Sequence, residues 1–227
     1  MQPFQIAQQG SADIAIQQNR VLRNTYALLG VSMVPTVLGA LLGIQMNIPL
    51  FSGFLGAILF MGIAFGFFWA IEKNKHSGVG VALLLGFTFF MGLMLSGLLR
   101  VALGFSNGGS LIAMAAGGTG TIFFVLSGIA ATSKRDFSGM GKFLFAGAIL
   151  VLVAALANIF FQIPALSLAI SALVVVIFSA YILYDINRIV QGGEDNYITA
   201  TLAVYLDVYN VFAGLLQLLM AFTGERD

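Results

Sequence analysis

Apolar residues fall into seven long runs, 24–46, 50–71, 78–103, 110–131, 142–161, 165–188 and 197–222. A helix needs about 20 residues to cross the hydrocarbon core of a bilayer, so each run is long enough to span it. The breaks carry turn-forming and polar residues: Asn47-Ile48-Pro49, the stretches 72–77, 106–109 and 133–136, Gln162-Ile163-Pro164, and 192–196. The runs are apolar nearly all round, as membrane helices are, and no ten-residue alternation suggests a strand. The pattern predicts an all-α integral membrane protein with a seven-helix membrane domain over 24–222. A polar, Gln-rich tail (1–23) without a signal-peptide core precedes it, with an amphipathic piece around Ile14–Val21, and a short tail (223–227) follows.

Composition sharpens this. Of the 227 residues 59% are hydrophobic and 8% charged, against about one quarter charged in a soluble domain. The net charge of +1 gives no reason to expect nucleic-acid binding. With no cysteine, a disulfide framework and a cysteine nucleophile are excluded. Lys and Arg are unevenly spread: eight fall in the N-terminal tail and the even-numbered breaks, while only Arg100 and Arg226 fall on the other side. By the positive-inside bias the N-terminus is expected in the cytoplasm. Trp69, Tyr26 and Tyr197 lie near span ends, as interfacial aromatics do.

The chemistry concentrates in residues 180–217. Asp185 lies in the sixth run and Asp207 in the seventh, and an acid at membrane depth is a functional candidate because its insertion costs about 2.5–3.5 kcal/mol. Tyr181, Asp185 and Arg188 share one helical face, so Asp185 and Arg188 are placed to pair. Asp207, Asn210, Gly214 and Gln217 draw a polar stripe down the seventh helix, which needs a protein neighbour or water. The sixth helix, joined to it by a short loop, is the expected neighbour. Measured from that loop, Asp185 lies about 7–8 Å deep and Asp207 about 15 Å, so contact depends on where the seventh helix begins. Two acids sharing such a site bind and release protons as a unit, which makes Asp185 and Asp207, with Arg188 and Asn210, the candidate proton-sensing or ion-pathway residues. The alternative is structural, with Asp185 satisfied by Arg188 and Asp207 by nearby Tyr or Asn.

Other features read as architecture. Gly39/Gly43 and Gly62/Gly66 form GxxxG pairs and Ala113/Gly117 a small-xxx-small pair, which favour close helix packing. In 192–196, Gly ends the sixth helix and Asp195 or Asn196 caps the seventh. The lone histidine, His76, lies in a polar break, and the glycines of 115–124 lack the spacing of a phosphate-binding turn.

Three stretches, VLRNTYALLG (21–30), ANIFFQIPALSLAISA (157–172) and ILYDINRIVQGGEDNYITATLAVYLDVYNVF (182–212), resemble the Bax inhibitor-1 (transmembrane Bax inhibitor motif) family, and within it the bacterial YccA-like branch. The resemblance covers about residues 20–225. It implies a multi-pass protein of the bacterial inner membrane whose seventh helix is central and wrapped by the other six. It also implies an acidic pair, matched by Asp185 and Asp207, associated with pH-dependent calcium leak. Calcium ions and protons are the implied partners besides the lipid bilayer. YccA-like members are associated with binding and modulating FtsH, a membrane-anchored AAA protease. In pH-gated members a basic residue on the second helix can latch an aspartate, but residues 50–71 hold no Lys or Arg, so either Arg188 or Arg100 substitutes or the latch is absent. Calcium prefers 6–8 oxygen ligands, so Asp185 and Asp207 would give weak, transient binding at most.

No enzyme or cofactor is expected. Tyr184-Asp185 matches half of an intramembrane aspartyl protease signature, but Val204-Tyr205-Leu206-Asp207 lacks the Gly-x-Gly-Asp of the other half. A rhomboid-type protease needs a Gly-x-Ser-Gly and a membrane histidine, and a retinal protein needs a lysine in the seventh span; all are missing.

Overall fold

The computed structural model describes residues 3–46, 53–133 and 135–225, with side chains from Ile16 onward. The break at 47–49 and the basic residues Lys134 and Arg226 lie outside the described residues. The helices are α1 (Pro3–Met46), α2 (Gly53–Asn74), α3 (Gly78–Leu103), α4 (Gly108–Thr132), α5 (Gly141–Phe161, after a 3-10 turn at Ser138–Met140), α6 (Pro164–Val190) and α7 (Tyr197–Thr223). All seven contain a stretch long and apolar enough to cross a membrane, and no strand occurs among the described residues.

The expected tail is the main difference. α1 runs unbroken for 44 residues from Pro3, about 66 Å, roughly twice the hydrocarbon thickness. Nothing in 4–23 breaks a helix more strongly than Gly10, and Val21 is already buried in the core. The packed body therefore begins before residue 24.

α7 is central. It packs against α1, α2, α3, α4 and α6, while α5 sits outside, on α6 and α2. Its inner side is tied by hydroxyls: Tyr205 Oη lies 2.9 Å from Thr36 Oγ1 of α1 and donates to the Thr88 carbonyl of α3 at 3.4 Å. Such bonds locate one helix against another where all surfaces are apolar. α1 and α3 run parallel, and glycine brings them close. A Cβ placed on Gly39 would stand 2.1 Å from the Phe89 carbonyl oxygen, and one on Gly92 would stand 2.0 Å from the Thr36 carbonyl oxygen. Gly39 and Gly43 thus behave as their spacing predicts. Gly62, Gly66 and Gly117 do not: a Cβ at each meets open space, so those glycines face outward.

Hydrogen bonds across the loops define two ends. At one end Asn196 Nδ2 donates to the Lys75 carbonyl at 2.7 Å, joining the α6–α7 and α2–α3 turns. There too, Phe137 N–H donates to Asn187 Oδ1 and Asn187 Nδ2 to the Arg135 carbonyl, fixing the α4–α5 loop on α6. At the other end Asn107 Nδ2 donates to the Thr223 carbonyl at 2.7 Å. Among the described residues, Arg20, Arg23, Lys73, Lys75, Arg135, Lys142 and Arg188 lie at the first, basic end. Arg100, near the far end of α3, lies at the opposite end.

Candidate functional site

α6 and α7 meet as an antiparallel pair, and the sequence explains how. Pro164 starts α6 at its first position, where a missing N–H costs nothing. Gly192, with φ +78°, turns the chain after α6. Asn196 then caps α7, its Oδ1 accepting from the N–H groups of Ile198 at 2.9 Å and Thr199 at 3.3 Å. Of the two expected caps, Asn196 is therefore the one used. Asn196 is also anchored to Lys75. α6 and α7 lie level, Ser171 meeting Gly214 and Gln217, so Asp185 sits nearer the turn than Asp207. Each side chain leans toward the N-terminus of its own helix, which in an antiparallel pair turns the two carboxyls toward each other.

The carboxyl groups of Asp185 and Asp207 lie within hydrogen-bond reach of each other. Asp207 is 4% exposed and Asp185 is half-buried. A carboxylate has no proton to donate, so a bond between them requires that one carry a hydrogen. The Oδ2 atom of Asp207 is buried and has no hydrogen-bond partner among the described residues. Both acids act electrostatically on the Tyr181 hydroxyl, and Asp185 also lies in the fields of Arg188 and Glu194.

Arg188 does not make the expected ion pair with Asp185. Its Nε donates to the Gly193 carbonyl at 3.1 Å and its Nη2 lies 3.6 Å from Glu194 Oε2. The α6–α7 turn brings Glu194 back over the end of α6, where an exposed guanidinium reaches it without entering the membrane. Glu194 also accepts from Asn196 N–H and Thr199 Oγ1, so the arginine belongs to the turn. Arg100 cannot replace a second-helix latch either, because it lies at the opposite end of the bundle.

The polar stripe of α7 faces α6 along its length. Gly214 allows close approach, since a Cβ there would lie 3.0 Å from the Ser171 carbonyl oxygen. One turn further, Gln217 Oε1 accepts from Ser171 Oγ at 3.0 Å. Asn210 donates to the Leu206 carbonyl of its own helix at 2.8 Å and contacts no acid directly. It lines a cavity of about 430 Å³ between α5, α6 and α7, together with Asn158, Ser167, Ser171, Phe178 and Gln217. Asn158 Nδ2 donates to Ser167 Oγ at 2.6 Å across the α5–α6 turn. Since a water occupies about 30 Å³, the cavity has room for a short chain of waters reaching within one helical turn of Asp207. Ser171 and Asn158 had no signal in the linear pattern, because a single polar residue in an apolar run looks alike on any face. Among the described residues no third His, Cys, Asp or Glu joins the pair.

The family model described as "Inhibitor of apoptosis-promoting Bax1" matches residues 18–224. The chain belongs to the Bax inhibitor-1 family. It is 37% identical over 204 residues to "Modulator of FtsH protease YccA" of Escherichia coli K12, covering 90% of this chain and 91% of that one. An uncharacterized membrane protein of Vibrio cholerae is 39% identical over 209 residues, 92% of each chain. An uncharacterized protein of Pseudomonas aeruginosa is 40% identical over 222 residues, covering 96% of this chain and 98% of that one. Two proteins similar to it carry inner-membrane or membrane names, in keeping with seven apolar helices: the Vibrio protein and "Inner membrane protein YccA" of another Escherichia coli strain.

Proposed function

We propose that this protein conducts cations through the inner membrane in a proton-dependent way, with Asp185 and Asp207 as the proton-sensitive element and calcium as a weakly held cargo. The observation that carries this reading is the contact between two acids on adjoining helices at membrane depth. With one proton shared, the pair holds α6 against α7. Without it, two like charges face each other; about 4 Å apart at an effective dielectric of about 20, they repel by about 4 kcal/mol. That is enough to bias a two-state packing of the two helices. Tyr181, Arg188 and Glu194 complete the charged and titratable surroundings. The cavity at Asn210 supplies the wet approach from the far end, and the eight-to-two spread of basic residues supports the basic end facing the cytoplasm.

Calcium flux into proteoliposomes between pH 6 and 8 tests the proposal. Flux is expected to rise with pH in the wild type, and Asp207→Asn, which cannot ionise, is expected to flatten the profile. Flux equal to that of empty liposomes at every pH overturns the channel reading.

A second reading, regulatory engagement of the protease FtsH, is supported by the similarity to the Escherichia coli modulator of FtsH protease. On that reading α1 beyond the membrane would be the contact, and deleting 1–15 would alter FtsH co-purification while Asp207→Asn would not.

A further inference from the structure

α1 and α4 leave a gap floored by α7. The half nearer the basic end is a cavity of about 590 Å³, bounded by Tyr26, Gly30 and Met33 on α1 and by Gly120, Phe124 and Ala131 on α4. It continues toward the opposite end as a second cavity of about 500 Å³ that shares Met33, Gly120 and Val208. From Gly120 to Ala131 the first half runs about 16 Å, the depth of one leaflet of hydrocarbon. The lining is almost wholly apolar along this depth, which suits an extended acyl chain. A Cβ at Gly30, Gly120 or Gly128 meets no atom within 4 Å, so the walls are held open at these three glycines.

Charge at the mouth selects the headgroup. Arg23 lies one turn beyond Tyr26 on α1, and Arg135 follows the end of α4; both are exposed. Neither has a carboxylate within ion-pair distance among the described residues, since the ion pairs there involve Lys75 and Arg188. An apolar slot one leaflet deep, with Arg23 one turn beyond Tyr26 on one wall and Arg135 one turn beyond Ala131 on the other, has the chemistry of a phospholipid with a phosphate and net negative charge.

We infer that the α1–α4 groove binds an anionic phospholipid, one acyl chain lying in the slot against α7 and the headgroup on Arg23 and Arg135. The full chain, exchanged into detergent with phosphatidylglycerol or phosphatidylcholine, is examined by native mass spectrometry. The wild type is expected to retain one phosphatidylglycerol under conditions that strip phosphatidylcholine. Arg23→Gln with Arg135→Gln should reduce that preference roughly thirtyfold, at the usual worth of two surface cations. Gly120→Leu, which fills the open slot, should reduce retention of both lipids, and its monodispersity reports folding separately. Equal retention of the two lipids, a preference untouched by the arginine pair, or a co-purifying polypeptide cross-linked to a photoreactive group at Phe124 in place of lipid would each overturn the assignment.

Discussion

Replacing Gly92 by alanine tests the interlock between α1 and α3. The added carbon would lie 2.0 Å from the Thr36 carbonyl oxygen and 3.0 Å from the Ala40 nitrogen. Both are backbone atoms of a neighbouring helix, so no rotamer change relieves the clash. Ordinary contact is nearer 3.5 Å, so the helices must part by more than 1 Å where Gly39 and Gly92 dovetail. Overpacking of this kind costs about 1–3 kcal/mol, and the parting also loosens the Tyr205–Thr36 bond that seats α7. A loss near 3 kcal/mol is expected. Gly62→Ala is the matched control: it lies in the same GxxxG spacing, but its Cβ meets nothing within 4 Å. There, better helix propensity should raise stability by up to about 1 kcal/mol. Reversible unfolding in mixed micelles, titrated with dodecyl sulfate and followed by circular dichroism, measures both. If the two variants agree to within about 0.5 kcal/mol, the close approach of α1 and α3 is wrong.

Asn196→Ala removes the α7 cap and the anchor to Lys75 together, and should destabilise by about 1–2 kcal/mol in the same titration. Arg188→Gln should move the pH profile of flux only slightly, toward higher pH, because Arg188 is held by Gly193 and Glu194 and acts on Asp185 only through its field; a large displacement in proteoliposomes would mean that it reaches Asp185 directly. Asp136 lies outside the membrane spans, and the Ser138 N–H that donates to it holds its pKa below the ordinary value. Its contribution to stability is therefore present above the unfolded pKa and lost as pH falls through the lower folded value, which carboxyl NMR titration at Asp136 would register as a midpoint below about 3.9.

Much of the architecture was legible in order along the chain. Hydropathy marked seven spans, six of them to within a few residues, because each apolar run had to meet the same bilayer thickness; only the start of the first, expected at 24, lies earlier. The turn after α6 was readable for a similar reason: Gly192 and Asn196 answer local needs, a left-handed backbone and an unsatisfied helix start. The stripe from Asp207 to Gln217 also pointed correctly to α6, since polar groups at 3-4 spacing share one face and lipid gives them no partner. Asn210 belongs to that stripe yet lines the α5–α6–α7 cavity, a division that depends on where α5 lies.

Sequence alone thus determined the membrane class and the number of the spans, with the limits of all but the first. Tertiary structure decided which faces meet. In water an apolar face announces burial, but here lipid is as apolar as the core, so hydropathy does not separate Gly39, locked against α3, from Gly62, facing outward. It likewise could not assign Arg188, whose long side chain had acids within reach both in the membrane and in the turn. Only the fold, by returning Glu194 over the end of α6 and laying α7 along α6, gave the arginine to the turn and brought Asp185 and Asp207 together without a cation between them.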